Sequence, residues 1–120
     1  MHRRNIAQSF LHAAKGMYYA CRGERNMVTH LIIAALVIIM SFVLQLDKIE
    51  FIIILFCIAM VLITEAVNTS FEFMVDLFHG AKISGVVKML KDIASAAVLI
   101  ACVFSAIIGA LIFLPKIIKS

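Results

Sequence analysis

Charge is scarce in this sequence. Asp, Glu, Lys and Arg make up 15% of its 120 residues, 64% are hydrophobic, and the mean hydropathy is +1.10. A soluble domain carries about 25% charged and about 45 to 50% apolar residues, and a chain this short has too little interior to hide the surplus. The apolar surface therefore has to face lipid. That excludes a soluble globular enzyme, a disordered chain and a compact nucleic-acid-binding domain, so no nucleic-acid partner is expected. Cysteine is sparse as well. Cys21, Cys57 and Cys102 are odd in number, far apart and free of any CxxC spacing, which excludes a disulfide scaffold and leaves the latter two as small hydrophobes inside apolar stretches. A cleavable signal pattern is missing, because the first apolar stretch begins near Met27 behind a polar and basic segment. The common nucleotide motifs are missing too. Gly80-Ala81-Lys82-Ile83-Ser84-Gly85 has the two glycines of a P-loop, but Val86 follows where that motif needs lysine. Nor is there a protein-kinase glycine loop, HRD or DFG.

Three long apolar stretches are present, enough for a single membrane-embedded domain over residues 1–120. A membrane helix needs about 20 mostly apolar residues to cross about 30 Å of hydrocarbon. The spans are expected at about residues 27–46, 50–78 and 93–114. The apolar core of the second, Phe51 to Thr64, is only 14 residues long, so this helix has to continue through EAVNTSFEFMVDLF. The third, Ile93 to Leu114, has 22 residues and no charge, and Pro115 is expected to close it. No alternating strands that could form a barrel are visible, so the fold class is all-α integral membrane. Ahead of the first span, over about residues 4–22, Ile6, Phe10, Ala13, Ala14, Met17 and Cys21 recur at helical spacing with Arg3, Arg4, Lys15 and Arg22 between them. This predicts an N-terminal amphipathic helix, either lying on the membrane surface or packed on the bundle.

Basic residues give an orientation. Eight of the 11 Lys and Arg fall before the first span (Arg3, Arg4, Lys15, Arg22, Arg25) or between spans two and three (Lys82, Lys88, Lys91), against Lys48, Lys116 and Lys119 on the other side. The N-terminus and the second loop are therefore expected in the cytoplasm of a multi-pass cell-membrane protein. Ala97, Ala101, Ser105 and Gly109 form a small-residue stripe on the third span, suited to close backbone approach within or between protomers.

Ionisable groups inside a membrane helix cost about 2.5 to 3.5 kcal/mol each on insertion scales and point to function. The second span holds Glu65, Asn68, Glu72 and Asp76. At 100° per residue they fall near about 0°, 300°, 340° and 20°, on one narrow face. Three stacked carboxylates repel one another and call for a cation or a basic partner. An oxygen-only cluster suits Mg²⁺, which takes one or two carboxylates and completes its shell with water and phosphate. Lys88, Lys91 and Asp92 lie just before the third span, and Glu24, Arg25 and Asn26 just before the first. Glu65 lies deepest and would meet a lipid headgroup; Glu72 and Asp76 would meet something from the cytosol. This combination suggests phosphoryl transfer from a nucleotide to a lipid hydroxyl. Glu72, Asp76 and Lys82 read equally well as the polar end of a helix. That reading fails for Glu65 and Asn68, which follow a long apolar run directly. A non-enzymatic ion-conducting or helper subunit is the alternative of another class.

The run Glu65-Ala66-Val67-Asn68-Thr69-Ser70-Phe71-Glu72, then Asp76, then Lys91-Asp92-Ile93-Ala94-Ser95-Ala96-Ala97-Val98-Leu99, resembles the signature of the small prokaryotic diacylglycerol kinases, and the likeness extends over nearly the whole chain. The resemblance implies a homotrimeric membrane lipid kinase that uses MgATP. It implies that Glu65 is the general base, that Glu24 and Glu72 hold the metal bridging the ATP phosphates, that Lys91 and Asp92 contact ATP, and that Asn68 and Asp76 orient the site. The chain departs from enterobacterial members at Asn5 and His12, where those have Arg and Tyr. Glu24-Arg25-Asn26 followed by His30, with the loop before Lys91, resembles the Gram-positive branch, which implies undecaprenol as acceptor; diacylglycerol is the alternative.

Overall fold

The computed structural model describes residues 5–77 and 85–119. Arg3, Arg4, Phe78, Lys82 and residues 80–84 of the P-loop-like stretch lie outside the described residues. Four helices follow one another: α1 (Ile6–Gly23), α2 (Arg25–Val43), α3 (Lys48–Leu77) and α4 (Gly85–Lys119). No strand occurs among the described residues. The last three helices are each long and apolar enough to cross a membrane.

Local chemistry sets the boundaries. Asn5 caps α1 in a capping box: its Oδ1 accepts from the Gln8 N–H at 2.7 Å, and Gln8 Oε1 accepts from the Asn5 N–H at 3.2 Å. The helix stops at Glu24, whose extended backbone (φ −141°, ψ 114°) both ends α1 and begins α2. At the far end of α2, Gln45 adopts a left-handed φ of 54°. The Gln45 and Leu46 N–H groups donate to the carbonyls of Phe42 (3.2 Å) and Ser41 (3.1 Å), the paired bonds of a Schellman cap. Asp47 then caps α3, accepting from the Glu50 N–H at 2.8 Å while Glu50 Oε1 accepts from the Asp47 N–H at 3.1 Å. The connection, residues 44–47, thus falls a few residues earlier than the expected spans place it, and both helix ends are capped by local hydrogen bonds.

Pro115 does not end the helix that carries the third span. The helix runs through it to Lys119 and begins at Gly85, well before Ile93. Proline removes one N–H donor near the end of a helix, where a single lost bond interrupts little. The turn beyond it is anchored by an ion pair between Lys116 Nζ and Glu50 Oε1 at 3.1 Å. With 30 and 35 residues, α3 and α4 reach about 45 and 52 Å at 1.5 Å per residue, more than the hydrocarbon thickness alone requires.

Packing inverts the pattern of a soluble domain. The polar side chains of Ser41, Glu65, Asn68 and Thr69 are buried, while Phe42, Phe56, Leu99, Phe104 and Leu111 are well exposed, as expected where lipid is the outer solvent. The buried hydroxyls turn back on their own helices: Ser41 donates to the Val37 carbonyl at 2.8 Å and Thr69 to the Glu65 carbonyl at 2.9 Å. The three long helices pack with α3 in the middle. Along the α3–α4 seam Asn68 faces Ser95, Cys57 faces Ser105 and Glu50 faces Lys116, which fixes one antiparallel register. Two members of the small-residue stripe meet this seam: the Ser105 hydroxyl donates to the Cys57 carbonyl at 3.4 Å, and Gly109 lines a cavity of about 280 Å³ between α2 and α4, floored by α3, while Ala97 is exposed. The cavity runs from His30 past Ala34 and Ile58 to Phe113 and is almost wholly apolar.

Candidate active site

The polar face of α3 is covered by α2 and α4 at its C-terminal half. Glu65 is 1% exposed, among the most completely buried side chains described. Its Oε2 lies 3.9 Å from His30 Nε2 on α2, and its Oε1 is buried with no hydrogen-bond partner. A carboxylate oxygen without a partner in such a setting is costly unless a proton, a cation or a substrate hydroxyl fills the place. One turn further, Asn68 uses both ends of its amide. Nδ2 donates to Glu72 Oε1 at 3.4 Å, and Oδ1 accepts from the Ser95 hydroxyl at 3.4 Å. Asn68 thus ties Glu72 to α4.

Glu72 meets Glu24. The Glu24 carboxyl is pushed up to about 7, first by a side-chain hydrogen bond with Glu72, then by burial and by the charges of Glu72 and Glu65; the Asn26 N–H pulls the other way. Two carboxyls sharing a hydrogen bond hold a proton between them where a cation could stand instead. The approach is made possible by Gly23, the last residue of α1: a Cβ there would overlap the Phe73 ring on α3. His30 opposite Glu65, Glu24 opposite Glu72 and Gly23 opposite Phe73 define the antiparallel register of the α1–α2 junction against α3.

The structure therefore gathers Glu24, Glu65, Asn68 and Glu72. The α3–α4 register brings Lys91 and Asp92 level with Glu72, but Asp92 is paired with Lys88 at 3.0 Å and both are exposed. Asp76 shares the face of α3 yet is exposed and, among the described residues, makes no hydrogen bond or ion pair. Two neighbours of the site stood in the family resemblance without a role of their own: Ser95, four residues beyond Lys91 and so on its face of the helix, and His30, which lies 3.9 Å from Glu65 on another span. Asn5 and His12 stand on α1 and at its cap, where Asn5 has the capping role described above.

Among the described residues no group of three or more His, Cys, Asp or Glu could hold a metal ion by itself. The Glu24–Glu72 pair nevertheless fits Mg²⁺, which commonly takes one or two protein carboxylates and completes its shell with phosphate and water.

The profile of the prokaryotic diacylglycerol kinases matches residues 11–113. The chain belongs to this family. The prokaryotic diacylglycerol kinases are lipid kinases, so the chain is a membrane enzyme of that class. It is 41% identical to the undecaprenol kinase of Bacillus subtilis over 92% of this chain and 89% of that protein. It is 32% identical to the diacylglycerol kinase of a Synechocystis species over 96% of this chain and 66% of that protein. No solved structure gives a significant match.

Proposed function

We propose that this chain transfers the γ-phosphoryl group of ATP to undecaprenol, giving undecaprenyl phosphate and ADP. Glu65 carries the reading: a fully buried carboxylate with one oxygen unpartnered, one turn from the polar chain Asn68, Glu72 and Glu24. Glu65 takes the proton of the lipid hydroxyl as its oxygen attacks the γ-phosphorus; the bond to the β–γ bridging oxygen breaks, ADP leaves, and the proton passes on to water. Glu24 and Glu72 hold Mg²⁺, which when bound neutralises charge on the ATP phosphates. Lys91 and Asp92 contact ATP, and Asn68 and Asp76 orient the polar face. Most of the acceleration is electrostatic positioning, since phosphoryl transfer asks little covalent chemistry of the protein. The apolar cavity beside His30 supports an acceptor whose first few carbons lie against the bundle near Glu65, the rest of its chain staying in the lipid. The whole domain works as a homotrimer in the cell membrane, with the N-terminus and active site on the cytoplasmic side and α1 on the membrane surface.

The 41% identity to an undecaprenol kinase favours the prenyl alcohol; the more distant diacylglycerol kinase supports phosphatidate formation as a second reading. Purified protein in lipid nanodiscs, given labelled ATP and each lipid side by side, is expected to show the higher kcat/KM for undecaprenol. A preference for diacylglycerol overturns the acceptor, and transfer to neither lipid overturns the kinase reading.

A further inference from the structure

His30 is the only described residue able to carry positive charge within ion-pair reach of Glu65. Its Nε2 stands 3.9 Å from Oε2, with the two side chains 19% and 2% exposed. The other oxygen, Oε1, is buried and unpartnered. The two oxygens of one carboxylate are thus made unequal by the fold. A general base needs this inequality: one oxygen left without a partner to take the incoming proton, and the group held against rotation so that this oxygen stays in place. His30 also lines the apolar cavity, so it stands where that cavity meets the carboxylate. The other titratable groups acting on Glu65 are Glu72 on α3, Glu24 at the α1–α2 junction and Cys102 on α4. All three are neutral or anionic, so none can take the place of an imidazole.

We propose that His30 is a positioning residue for phosphoryl transfer, its imidazole holding Glu65 through Oε2 and leaving Oε1 to receive the proton of the acceptor hydroxyl. The proposal rests on the reading of Glu65 as general base. A separation of 3.9 Å is longer than a hydrogen bond, and such contacts are commonly long before substrate binds and tighten in the complex. His30 itself touches neither phosphate nor the reacting oxygen in this scheme.

The test uses the full chain in lipid nanodiscs with MgATP and undecaprenol, and the variants His30→Leu, His30→Gln and Glu65→Gln. His30→Leu is expected to lower kcat about 10- to 100-fold, the cost typical of losing a group that orients a reacting one, with KM for both substrates unchanged within about twofold. His30→Gln, which keeps a donor near Oε2, is expected to recover most of the loss. An infrared carboxyl band assigned to Glu65 by its disappearance in Glu65→Gln is expected to shift in His30→Leu, a readout that needs no turnover. Unchanged kcat in a folded His30→Leu, a loss carried wholly by lipid KM, or an unmoved Glu65 band overturns the proposal. If His30→Leu fails to fold, His30→Gln decides: near-normal kcat with a Glu65 band close to the parent's supports the proposal, and a loss as deep as that of Glu65→Gln overturns it. Full activity in Glu65→Gln instead overturns the base assignment itself, so the two failures are told apart.

Discussion

Glu24 and Glu72 share a hydrogen bond although 48 positions separate them in the sequence. One carboxyl ends α1 and opens α2, the other rides on α3, and the contact holds Glu24 protonated up to about 7. Two acidic groups brought this close hold either a proton or a cation, and the choice between them sets how the protein responds to pH and metal.

On the proposed metal role of the Glu24–Glu72 pair, Glu24 has to release its proton to take Mg²⁺, so the apparent metal affinity is expected to rise as pH increases through about 7. Below that value it should fall by about tenfold per pH unit for one proton displaced per ion. The folded pKa lies above the ordinary 4.5, so the protonated pair stabilises metal-free protein fully at low pH and loses this contribution as pH rises through about 7. Mg²⁺ should therefore raise Tm more on the alkaline side of that range than on the acid side. Mg²⁺ titrations of activity and Tm at three pH values check both statements, and Glu24→Gln should flatten the pH dependence. A metal requirement independent of pH in the parent protein contradicts the prediction.

Replacing Glu65 by Gln is expected to reduce transfer about 10²- to 10⁴-fold, the usual worth of a general base. Membrane insertion and thermal stability should hold, because Gln fills the same volume without a buried carboxylate. Phosphate transfer and unfolding measured on one preparation separate the two effects. Normal turnover would sink the assignment.

Asn68 is a bridge, and its two bonds have unequal importance. Ser95→Ala removes a 3.4 Å hydroxyl contact and is expected to cost about 0.5 to 1.5 kcal/mol. Asn68→Leu also strips the donor from Glu72, so a loss of about 1 to 3 kcal/mol is expected together with weaker Mg²⁺ dependence. Thermal unfolding in detergent with and without Mg²⁺ tests the ranking, and equal effects of the two substitutions would contradict it.

Gln45 occupies a left-handed position at the C-terminal cap of α2, with φ at 54°. A non-glycine residue there carries a steric penalty that glycine avoids. Gln45→Gly is expected to stabilise the protein by about 0.5 to 1 kcal/mol, the left-handed penalty of about 1 to 2 kcal/mol less glycine's larger unfolded-chain entropy of about 0.4 to 1 kcal/mol. Turnover should be unaltered, because the cap lies at the opposite end of α2 from His30 and Glu65. A lower Tm in this variant would contradict the cap assignment.

The amino-acid sequence by itself determined the solvent, the helices and the polar face. Long apolar runs have to be helical in lipid, where every backbone group must be bonded within its own segment, and a fixed 100° per residue puts Glu65, Asn68, Glu72 and Asp76 in one line whatever packs against them. These are properties of each segment alone. Tertiary structure decided which members of that line meet partners from other helices. The register of the α1–α2 junction against α3 brings Glu24 to Glu72 and His30 to Glu65, the register of α4 brings Ser95 to Asn68, and Asp76, on the same face, is left exposed. Pro115 likewise reads locally as a stop, yet α4 runs through it, and Lys116 just beyond it pairs with Glu50 of α3. Such pairings depend on how far one helix slides along another, and that is set by the summed packing of whole helix faces, which no single segment of sequence contains.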